Sequence, residues 1–248
     1  MKSSFVEAKK ELKKLANPIQ AEILQRFFKT GRGQYGEGDI FLGVKVPQTR
    51  KVAKQFRELP LAEVEKLLHS KIHEERLLAL LILIQKFQLS GEGEQRKIYR
   101  LYLKNLKGTC RVGAQRFYAI NNWDLVDLSA PQIVGTFLLD KNRSELYRLA
   151  RSKHLWSRRV AMISTFAFIK KQQFDDSLKL AEILLTDKHD LIHKAVGWML
   201  REVGKRDLVA EENFLKKYAG TMPRTALRYA IEKFPPVKRQ FYLKYGSK

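Results

Sequence analysis

Apolar residues recur at every third or fourth position along almost the whole chain. The spacing is clearest in the segments SSFVEAKKELKKLA, QAEILQRFFKT, PQTRKVAKQFREL, ERLLALLILIQKF and RKIYRLYLKNL. This spacing places the apolar side chains on one face of an α-helix, and Val, Ile and Thr do not collect into the alternating runs that are typical of strands. The pattern therefore predicts an all-α protein.

Proline and glycine interrupt this pattern at short intervals, so that roughly a dozen or more helices fit between the breaks. Pro47 and Pro223 are predicted to lie near first helical turns, and Pro60 between two helices. The stretch Gly31–Gly43 is rich in glycine but has no strand before it. We therefore interpret it as a long, mobile loop that joins two helices, and not as a dinucleotide-binding turn.

Four segments resemble one another: EERLLALLILIQKF, SRRVAMISTFAFIKK, IHKAVGWMLREVGK and MPRTALRYAIEKFP. Each begins with a basic residue that precedes an apolar stripe; these residues are Arg76, Arg159, Lys194 and Arg224. Arg76 and Arg159 are 83 residues apart. This separation is about twice a unit of roughly 40 residues, a length typical of HEAT-like helix pairs. We predict one domain over residues 1–248, a HEAT-like helical-repeat solenoid with a concave basic groove. The alternative is that amphipathic helices resemble one another by necessity.

The chain is strongly basic, with 48 Lys and Arg against 26 Asp and Glu and a formal net charge of +22. This charge favours a polyanionic partner, and nucleic acid over an anionic membrane, although solubility alone is an alternative. The longest apolar run, Leu77–Ile84, is too short to span a bilayer, and the N-terminal segment lacks the apolar core of a secretory signal. The single cysteine excludes an internal disulfide. We expect a cytoplasmic monomer that does not bind membranes.

No motif for a metal or a nucleotide is evident. His189 and His193 have helical spacing in HDLIH, but they lack the glutamate of a zinc-protease motif and a cysteine partner. No phosphate-binding glycine loop with a following Lys-Ser or Lys-Thr occurs. We therefore predict no metal site and no cofactor.

The segment NNWDLVDLSA contains the most informative candidate residues. On a helix Trp123 and Asp127 share one face, whereas Asp124 points elsewhere. Two further tryptophans also lie near cations: Trp198 follows Lys194 by four residues, and Trp156 precedes two arginines. An aromatic ring beside a cation suits a groove that binds sugar, base and phosphate, although burial in a helix interface is the alternative for each ring.

Asp127 is the residue on which the functional interpretation depends. A carboxylate in a basic groove repels phosphate, so it requires either a salt bridge, a helix cap or a chemical role. Cleavage of an N-glycosidic bond provides such a role, because a fixed carboxylate stabilises the positive charge that develops on the sugar.

The motifs NNWDLVDLSA, LWSRRVAMIS and KAVGWMLREVGK, together with FLGVKVPQTRKVAK and MPRTALRYAIEKF, resemble those of the AlkD-type alkylpurine DNA glycosylases, bacterial base excision repair proteins built of HEAT-like repeats. The resemblance covers roughly residues 5 to 235. It implies removal of 3-methyladenine and 7-methylguanine from double-stranded DNA in the bacterial cytoplasm, without a metal or a nucleotide cofactor. Because selectivity would then depend on the lability of the leaving base and on distortion of the duplex, we expect bulky alkyl adducts to be tolerated.

The resemblance also implies roles for individual residues. Asp127 matches the catalytic carboxylate, Trp123 and Trp198 match the two aromatic walls of the site, and Arg159 matches an arginine that contacts the backbone beside the lesion. The family has a tyrosine shortly before its FLG motif, where this chain has Tyr35 after Gln34. Independently of the resemblance, the repeats and the basic charge suggest cations that contact the DNA backbone, and a solvated helix face is the alternative for each. With this tyrosine, the candidate contacts are Tyr35, Lys45, Arg76, Arg111, Arg158, Lys194, Arg224 and Arg228.

Two other functions remain open at the level of sequence. The first is a non-catalytic protein that binds DNA structures on the same scaffold, and the second is a protein-binding adaptor built of helical repeats. Because no single lysine stands out as an amine nucleophile, we predict no lyase activity.

Overall fold

The computed structural model describes residues 4–112 and 115–244, with the backbone alone considered for residues 109–112 and 115–118. The described chain is mostly helical, which confirms the predicted all-α helical-repeat class. It also contains one antiparallel hairpin, β1 (Thr109–Val112) paired with β2 (Gln115–Tyr118). The sequence pattern did not predict this hairpin, because two strands of four residues give too little alternation to detect.

The chain divides into two compact units, Met1–Ser129 and Ala130–Lys248. We call these the first and the second unit. Whether they form one domain stays a prediction. The helices of the first unit are α1 (Phe5–Lys13), α2 (Pro18–Phe27), α3 (Val46–Gln55), α4 (Leu61–Leu68), α5 (His73–Leu89), α6 (Glu92–Lys107) and α7 (Trp123–Ala130), whose last residue begins the second unit.

After Ala130, the second unit continues with a π-helical turn (Pro131–Gly135), and it also contains a 3₁₀ turn (Ile231–Lys233). Its α-helices are α8 (Thr136–Leu138), α9 (Ser144–Ala150), α10 (Leu155–Ser164), α11 (Phe166–Ile169), α12 (Asp175–Leu184), α13 (Asp190–Gly204), α14 (Leu208–Tyr218), α15 (Arg224–Ala230) and α16 (Pro236–Lys244). Helices α9 and α10, α12 and α13, and α13 and α14 pack against each other as neighbours.

Each unit has one central helix. In the first unit α5 contacts α3, α4 and α6, and its segment Leu77–Ile84 is buried all round. In the second unit α13 contacts α10, α12, α14 and α15. Burial on several sides explains the long apolar run of α5, since a helix that is covered all round needs no polar face. Within the described residues no helix combines the length and the apolar character that a bilayer crossing requires.

The helix starts follow the signals in the sequence. Ser4 and Glu7 form a reciprocal capping box at the start of α1, and the side chain of Asn17 caps α2 immediately before Pro18. Pro47 is the second residue of α3, and Pro223 is the N-cap of α15. Both prolines therefore lie at helix starts, where a missing backbone N–H has no cost.

Three helices, α5, α10 and α13, begin with the same loop geometry. Three positions before the helix, a Ser or Asp side chain accepts a hydrogen bond from the backbone N–H two residues later, at 2.8 to 3.1 Å. The carbonyl of that same residue accepts a hydrogen bond from the side chain six residues later. The accepting residues are Ser70, Ser152 and Asp187, and the donating residues are Arg76, Arg158 and His193.

This shared geometry corrects the predicted register of the repeats. Arg76 is equivalent to Arg158 and His193, so the predicted equivalents Arg159 and Lys194 lie one residue too late. The side chains of Arg76, Arg158 and His193 donate hydrogen bonds to carbonyls of the preceding loops. These carbonyls need side-chain donors, because the backbone of the helix provides none. The sequence alone did not distinguish the two adjacent arginines at 158 and 159.

The second half of the Gly31–Gly43 stretch is anchored, in contrast to the mobile loop that we predicted. Asp39 and Phe41 are buried, and Ile40 pairs with Ile72 in an isolated bridge. Gly43 has a φ of +82° and lies against the carbonyl oxygen of Asn17, where a Cβ atom would approach to 2.1 Å. Only glycine fits this position, at which the loop passes the start of α2.

We predict that Gly197→Ala destabilises the second unit by about 1–3 kcal/mol through overpacking. A Cβ at Gly197 in α13 would approach the carbonyl oxygen of Ala226 to 2.3 Å. Gly93→Ala is the control, because that position in α6 has open space around it. The midpoints of urea unfolding, followed by circular dichroism, check this prediction. An unchanged midpoint for Gly197→Ala would contradict the close packing of α13 on α15.

Candidate functional site

Helix α7 presents the two residues that the sequence analysis placed on one face. Trp123 is its first residue and Asp127 its fifth, one helical turn later, and both are half-buried. Asp124, in contrast, is buried with 7% exposure and points into the first unit. The helical spacing confirms that Trp123 and Asp127 share a face and that Asp124 does not.

The Trp123 ring is packed against two phenylalanines at the end of α2. Its centroid lies 5.2 Å from that of Phe28 in a stacked arrangement and 5.9 Å from that of Phe27 edge-on. Phe28 is buried, whereas Phe27 is 60% exposed. This pair was not among the predicted site residues, although two adjacent aromatic residues at the end of an amphipathic helix indicate that one of them lies outside the core.

Phe28, which stacks on Trp123, also contacts His73, the first residue of α5. His73 is the centre of a buried polar cluster. The His73 Nδ1 atom is 3.0 Å from a carboxylate oxygen of Asp39, and Nε2 is 2.8 Å from a carboxylate oxygen of Asp124. Arg76 donates to the second oxygen of Asp39 at 2.7 Å and to the side-chain oxygen of Asn121 at 3.0 Å. We call these five residues the His73 cluster.

The charged groups of the His73 cluster shift the pKa values of His73 and Asp39 in favour of their ionised forms. Burial disfavours a charged imidazole, but the carboxylate of Asp124 and the hydrogen bonds to Asp124 and Asp39 outweigh it and raise the pKa of His73 to about 9. Burial also acts against the Asp39 carboxylate, but Arg76 and His73 overcome it and lower the pKa of Asp39 to about 2. At neutral pH the cluster therefore contains an imidazolium between two acceptors.

Glu74, the next residue of α5, fixes the loop that leads into α3. It is buried, and its carboxylate accepts hydrogen bonds from the backbone N–H groups of Leu42, Gly43 and Val44, at 2.8 to 3.2 Å. The first turn of α5 thus holds both this loop and the start of α7. In the described part of the chain no group of three His, Cys, Asp or Glu side chains is arranged to hold a metal ion.

Two predicted residues of the site, Arg159 and Trp198, belong to the second unit. Arg159 in α10 is 5% exposed and donates a hydrogen bond to the carbonyl oxygen of Leu191 in α13. Trp198 in α13 is half-buried, and its ring lies 6.1 Å from that of Phe166. Substrate binding by Arg159 and Trp198 stays a prediction.

The predicted phosphate contact of Arg76 is wrong. Its side chain is fully buried and donates to Asp39, Asn121 and two loop carbonyls. Arg158 has a similar structural role: its nitrogens bind the carboxylate of Asp187 and the carbonyls of residues 152 and 153. Arg158 lines an open cleft of about 630 Å³ in the second unit, but its guanidinium is already bound by protein oxygens.

The other predicted phosphate contacts lie closer to the surface. Lys45, Arg224 and Arg228 are exposed, and Arg224 also donates to the carbonyl of Leu243 at 2.6 Å. Lys194 forms an ion pair of 2.7 Å with Asp190, one turn earlier in α13. Tyr35 is half-buried, and the side chain of Arg111 lies outside the described residues. Contact of these residues with DNA stays a prediction.

A family model described as DNA alkylation repair enzyme matches residues 8–234 of the chain. A solved structure described as a predicted DNA alkylation repair enzyme from Enterococcus faecalis superposes with a TM-score of 0.66 at 20% identity, covering 89% of this chain and 97% of that one. A second structure, smu.31 from Streptococcus mutans UA159, has a TM-score of 0.47 at 14% identity, with coverages of 99% and 98%. A search of curated proteins gave no significant match.

We predict that the stability contributed by His73 depends on pH. Because its pKa is raised from 6.5 to about 9 in the folded chain, the contribution is fully present below pH 6.5 and is lost as the pH rises through about 9. This difference in pKa corresponds to on the order of 3 kcal/mol. Urea unfolding of the wild type and of His73→Gln between pH 6 and 10 should show a difference in unfolding free energy that shrinks with rising pH.

His154→Gln is the matched control for this measurement. Burial and Arg158 lower the pKa of His154 to about 4, so that its imidazole is neutral throughout the range from pH 7 to 10. Its effect on the unfolding free energy should be constant there. An equally constant effect for His73→Gln would mean that the buried imidazole of His73 carries no charge.

Proposed function

The chain belongs to the family of DNA alkylation repair enzymes, and from this premise we propose that it is a monofunctional DNA glycosylase. Its substrates are N3- and N7-alkylated purines in double-stranded DNA, with 3-methyladenine and 7-methylguanine as the simplest cases. Hydrolysis of the glycosidic bond releases the alkylated base for base excision repair. The reaction requires neither a metal nor a nucleotide cofactor.

The half-buried carboxylate of Asp127, one turn from the Trp123 ring on the same face of α7, is the observation on which this proposal rests. Alkylation at N3 or N7 makes the purine cationic, so the electron pair of the glycosidic bond neutralises the leaving base. Positive charge develops on the deoxyribose at the same time. Asp127 stabilises this charge, and a water oxygen bonds to C1′ and releases a proton.

In this proposal the ring of Trp123 contacts the deoxyribose. Its packing against Phe27 and Phe28 fixes the ring, while part of its surface stays accessible. A rigid aromatic face attracts a developing cation electrostatically. His73 does not act as a general acid in this proposal, because it is 1% exposed and both of its nitrogens bind carboxylates. The cationic leaving group needs no such acid.

The position of Asp127 in its helix also favours a chemical role. It is the fifth residue of α7, and the fifth residues of α10, α13 and α15 are cations. These equivalents are Arg159, Lys194 and Arg228. A carboxylate at this position of α7 is difficult to explain by DNA affinity, since it repels phosphate. A role in stabilising positive charge on the substrate explains it.

The affinity for duplex DNA comes from contacts to phosphate in this proposal. The formal net charge of +22 supplies the long-range attraction, and exposed cations such as Lys45 and Arg228 supply local contacts. Selectivity then depends on the lability of the cationic base more than on hydrogen bonds to base edges. Bulky alkyl adducts are therefore expected substrates.

We predict that Asp127→Asn lowers the single-turnover rate of base release by about 10²-fold or more, because a neutral amide does not stabilise the sugar cation. DNA binding should persist or become tighter, since the change removes a charge that repels phosphate. The measurement is mass spectrometry of the bases freed from methylated duplex DNA, with a binding titration on the same substrate.

Asp140→Asn, a substitution of an exposed aspartate in the second unit, is the control and should excise at the wild-type rate. Full activity of Asp127→Asn would remove Asp127 from its proposed role. Binding of alkylated DNA by the wild type without any release of base would favour the non-catalytic DNA-binding protein.

We also predict that Lys45→Ala and Arg228→Ala weaken DNA binding on any sequence. Each substitution should reduce the slope of log K against log salt concentration by about one, because one phosphate is no longer neutralised by the protein. Arg148→Ala is the control, because Arg148 is exposed, pairs with Glu145 in its own helix and is not among the predicted phosphate contacts. Equal salt slopes for the wild type and the two variants would exclude Lys45 and Arg228 as phosphate contacts.

A further inference from the structure

We propose that the imidazolium of His73 is a positioning residue, which holds the first turn of α7 between two buried carboxylates and thereby fixes Trp123 and Asp127 against the substrate. The inference rests on the proposed function, because it assigns to the His73 cluster the task of orienting the residues of that site. It concerns a histidine that touches neither the DNA nor the reacting atoms.

The geometry of His73 requires both of its ring nitrogens to donate. Nδ1 lies 3.0 Å from Asp39 and Nε2 lies 2.8 Å from Asp124, and an ionised carboxylate only accepts hydrogen bonds. A neutral imidazole has one N–H group, so it would direct a lone pair at one of the two carboxylates. The protonated ring satisfies both contacts and links the loop before α3 to the start of α7.

The charges that face His73 balance one another when the ring is protonated. Asp39 comes from the loop after α2, Asp124 from α7 and Arg76 from the next turn of α5, and the uncharged Asn121 bridges Arg76 and Asp39. Two negative and two positive side chains thus meet in a buried site. Loss of the His73 proton would leave one uncompensated negative charge there, which is costly in a low-dielectric interior.

Asp124 connects His73 directly to the backbone of the first turn of α7. One carboxylate oxygen binds His73, and the other accepts the backbone N–H of Leu125 at 2.8 Å, within the first turn of α7. Trp123 immediately precedes Asp124, and Asp127 follows it by three residues. A shift of the Asp124 carboxylate therefore shifts the backbone that carries both residues of the candidate site.

The aromatic rings provide a second connection between His73 and Trp123. His73 lies 4.5 Å from the ring of Phe41 and 5.1 Å from that of Phe28, measured between centroids. Phe28 in turn stacks on Trp123 at 5.2 Å. An imidazolium next to aromatic faces gains a cation–π attraction, so the charged ring also orders the rings that support Trp123.

The corresponding start of α10 in the second unit shows that helix packing alone does not need such a cluster. The first two residues of α10 are Leu155 and Trp156, where α7 has Trp123 and Asp124, and Trp156 is buried. An apolar start is sufficient to pack that helix. Because buried ion pairs contribute little net stability compared with apolar packing, the ionic start of α7 is better explained by the orientation it imposes.

The test uses the full-length protein labelled with ¹⁵N in histidine and tryptophan side chains, with Trp123→Phe to assign the indole signal. We expect both His73 nitrogens to carry protons at pH 7. The Trp123 indole signal should shift with the same midpoint as the His73 nitrogens when the pH is raised through about 9. In His73→Gln this change in the Trp123 signal should be absent.

The kinetic arm compares Asp124→Asn with Asp176→Asn. Asp124→Asn should reduce the single-turnover excision rate by about tenfold or more while the Kd for DNA changes by less than about twofold, since a small misplacement of the reacting groups affects chemistry more than binding. Asp176 in the second unit accepts hydrogen bonds from Arg143 at 2.7 Å and from Tyr147 at 2.5 Å. Its amide variant also breaks an ion pair but should leave the excision rate and the Trp123 signal unchanged.

The outcomes separate this inference from the proposed function. A wild type that frees no base contradicts the glycosylase proposal, whereas the indole signal of Trp123 still reports whether His73 orients it. Wild-type indole signals in both Asp124→Asn and His73→Gln, with a wild-type excision rate wherever excision occurs, would overturn the positioning role. If Asp124→Asn does not fold, Asp39→Asn is used in its place, because it removes the other acceptor of His73. Both the indole signal of Trp123 and the excision rate are then measured on Asp39→Asn.

Discussion

A charge can be buried only where an opposite charge and hydrogen bonds replace the water that it loses, and the first unit is organised around this constraint. The imidazolium of His73 satisfies it by contacting a carboxylate with each nitrogen. One carboxylate belongs to the loop that precedes α3 and the other to α7. Segments far apart in the sequence are thereby fixed to the first turn of α5, and the candidate site lies on one of them.

The same need for hydrogen bonds determines how the helical repeats use their cations. The loops before α5, α10 and α13 each direct a carbonyl at a side chain in the following helix, and Arg76, Arg158 and His193 donate to these carbonyls. These donors stabilise the repeat itself. A basic sequence therefore does not translate directly into a basic surface, because some of its cations are required inside the fold.

The residues that were predicted correctly are those whose placement depends on near neighbours in the sequence. The shared face of Trp123 and Asp127 follows from helical spacing, and the positions of Pro47 and Pro223 follow from the geometry of helix starts. The His73 cluster was missed because its partners lie 34 and 51 residues away along the chain. No periodicity connects such residues, so only the fold shows that a histidine without an evident motif is enclosed by two aspartates.

The two aspartates of α7 differ in burial and therefore in the roles that they can have. Asp124 is buried, and its two oxygens bind His73 and the backbone of α7, so it is not available to a substrate. Asp127 is half-buried at a helix position that is basic in α10, α13 and α15. A carboxylate that stabilises a transient cation must stay ionised and accessible while its backbone stays fixed. In the proposed reaction Asp124, held by His73, fixes the backbone of α7 from which Asp127 stabilises the charge on the sugar.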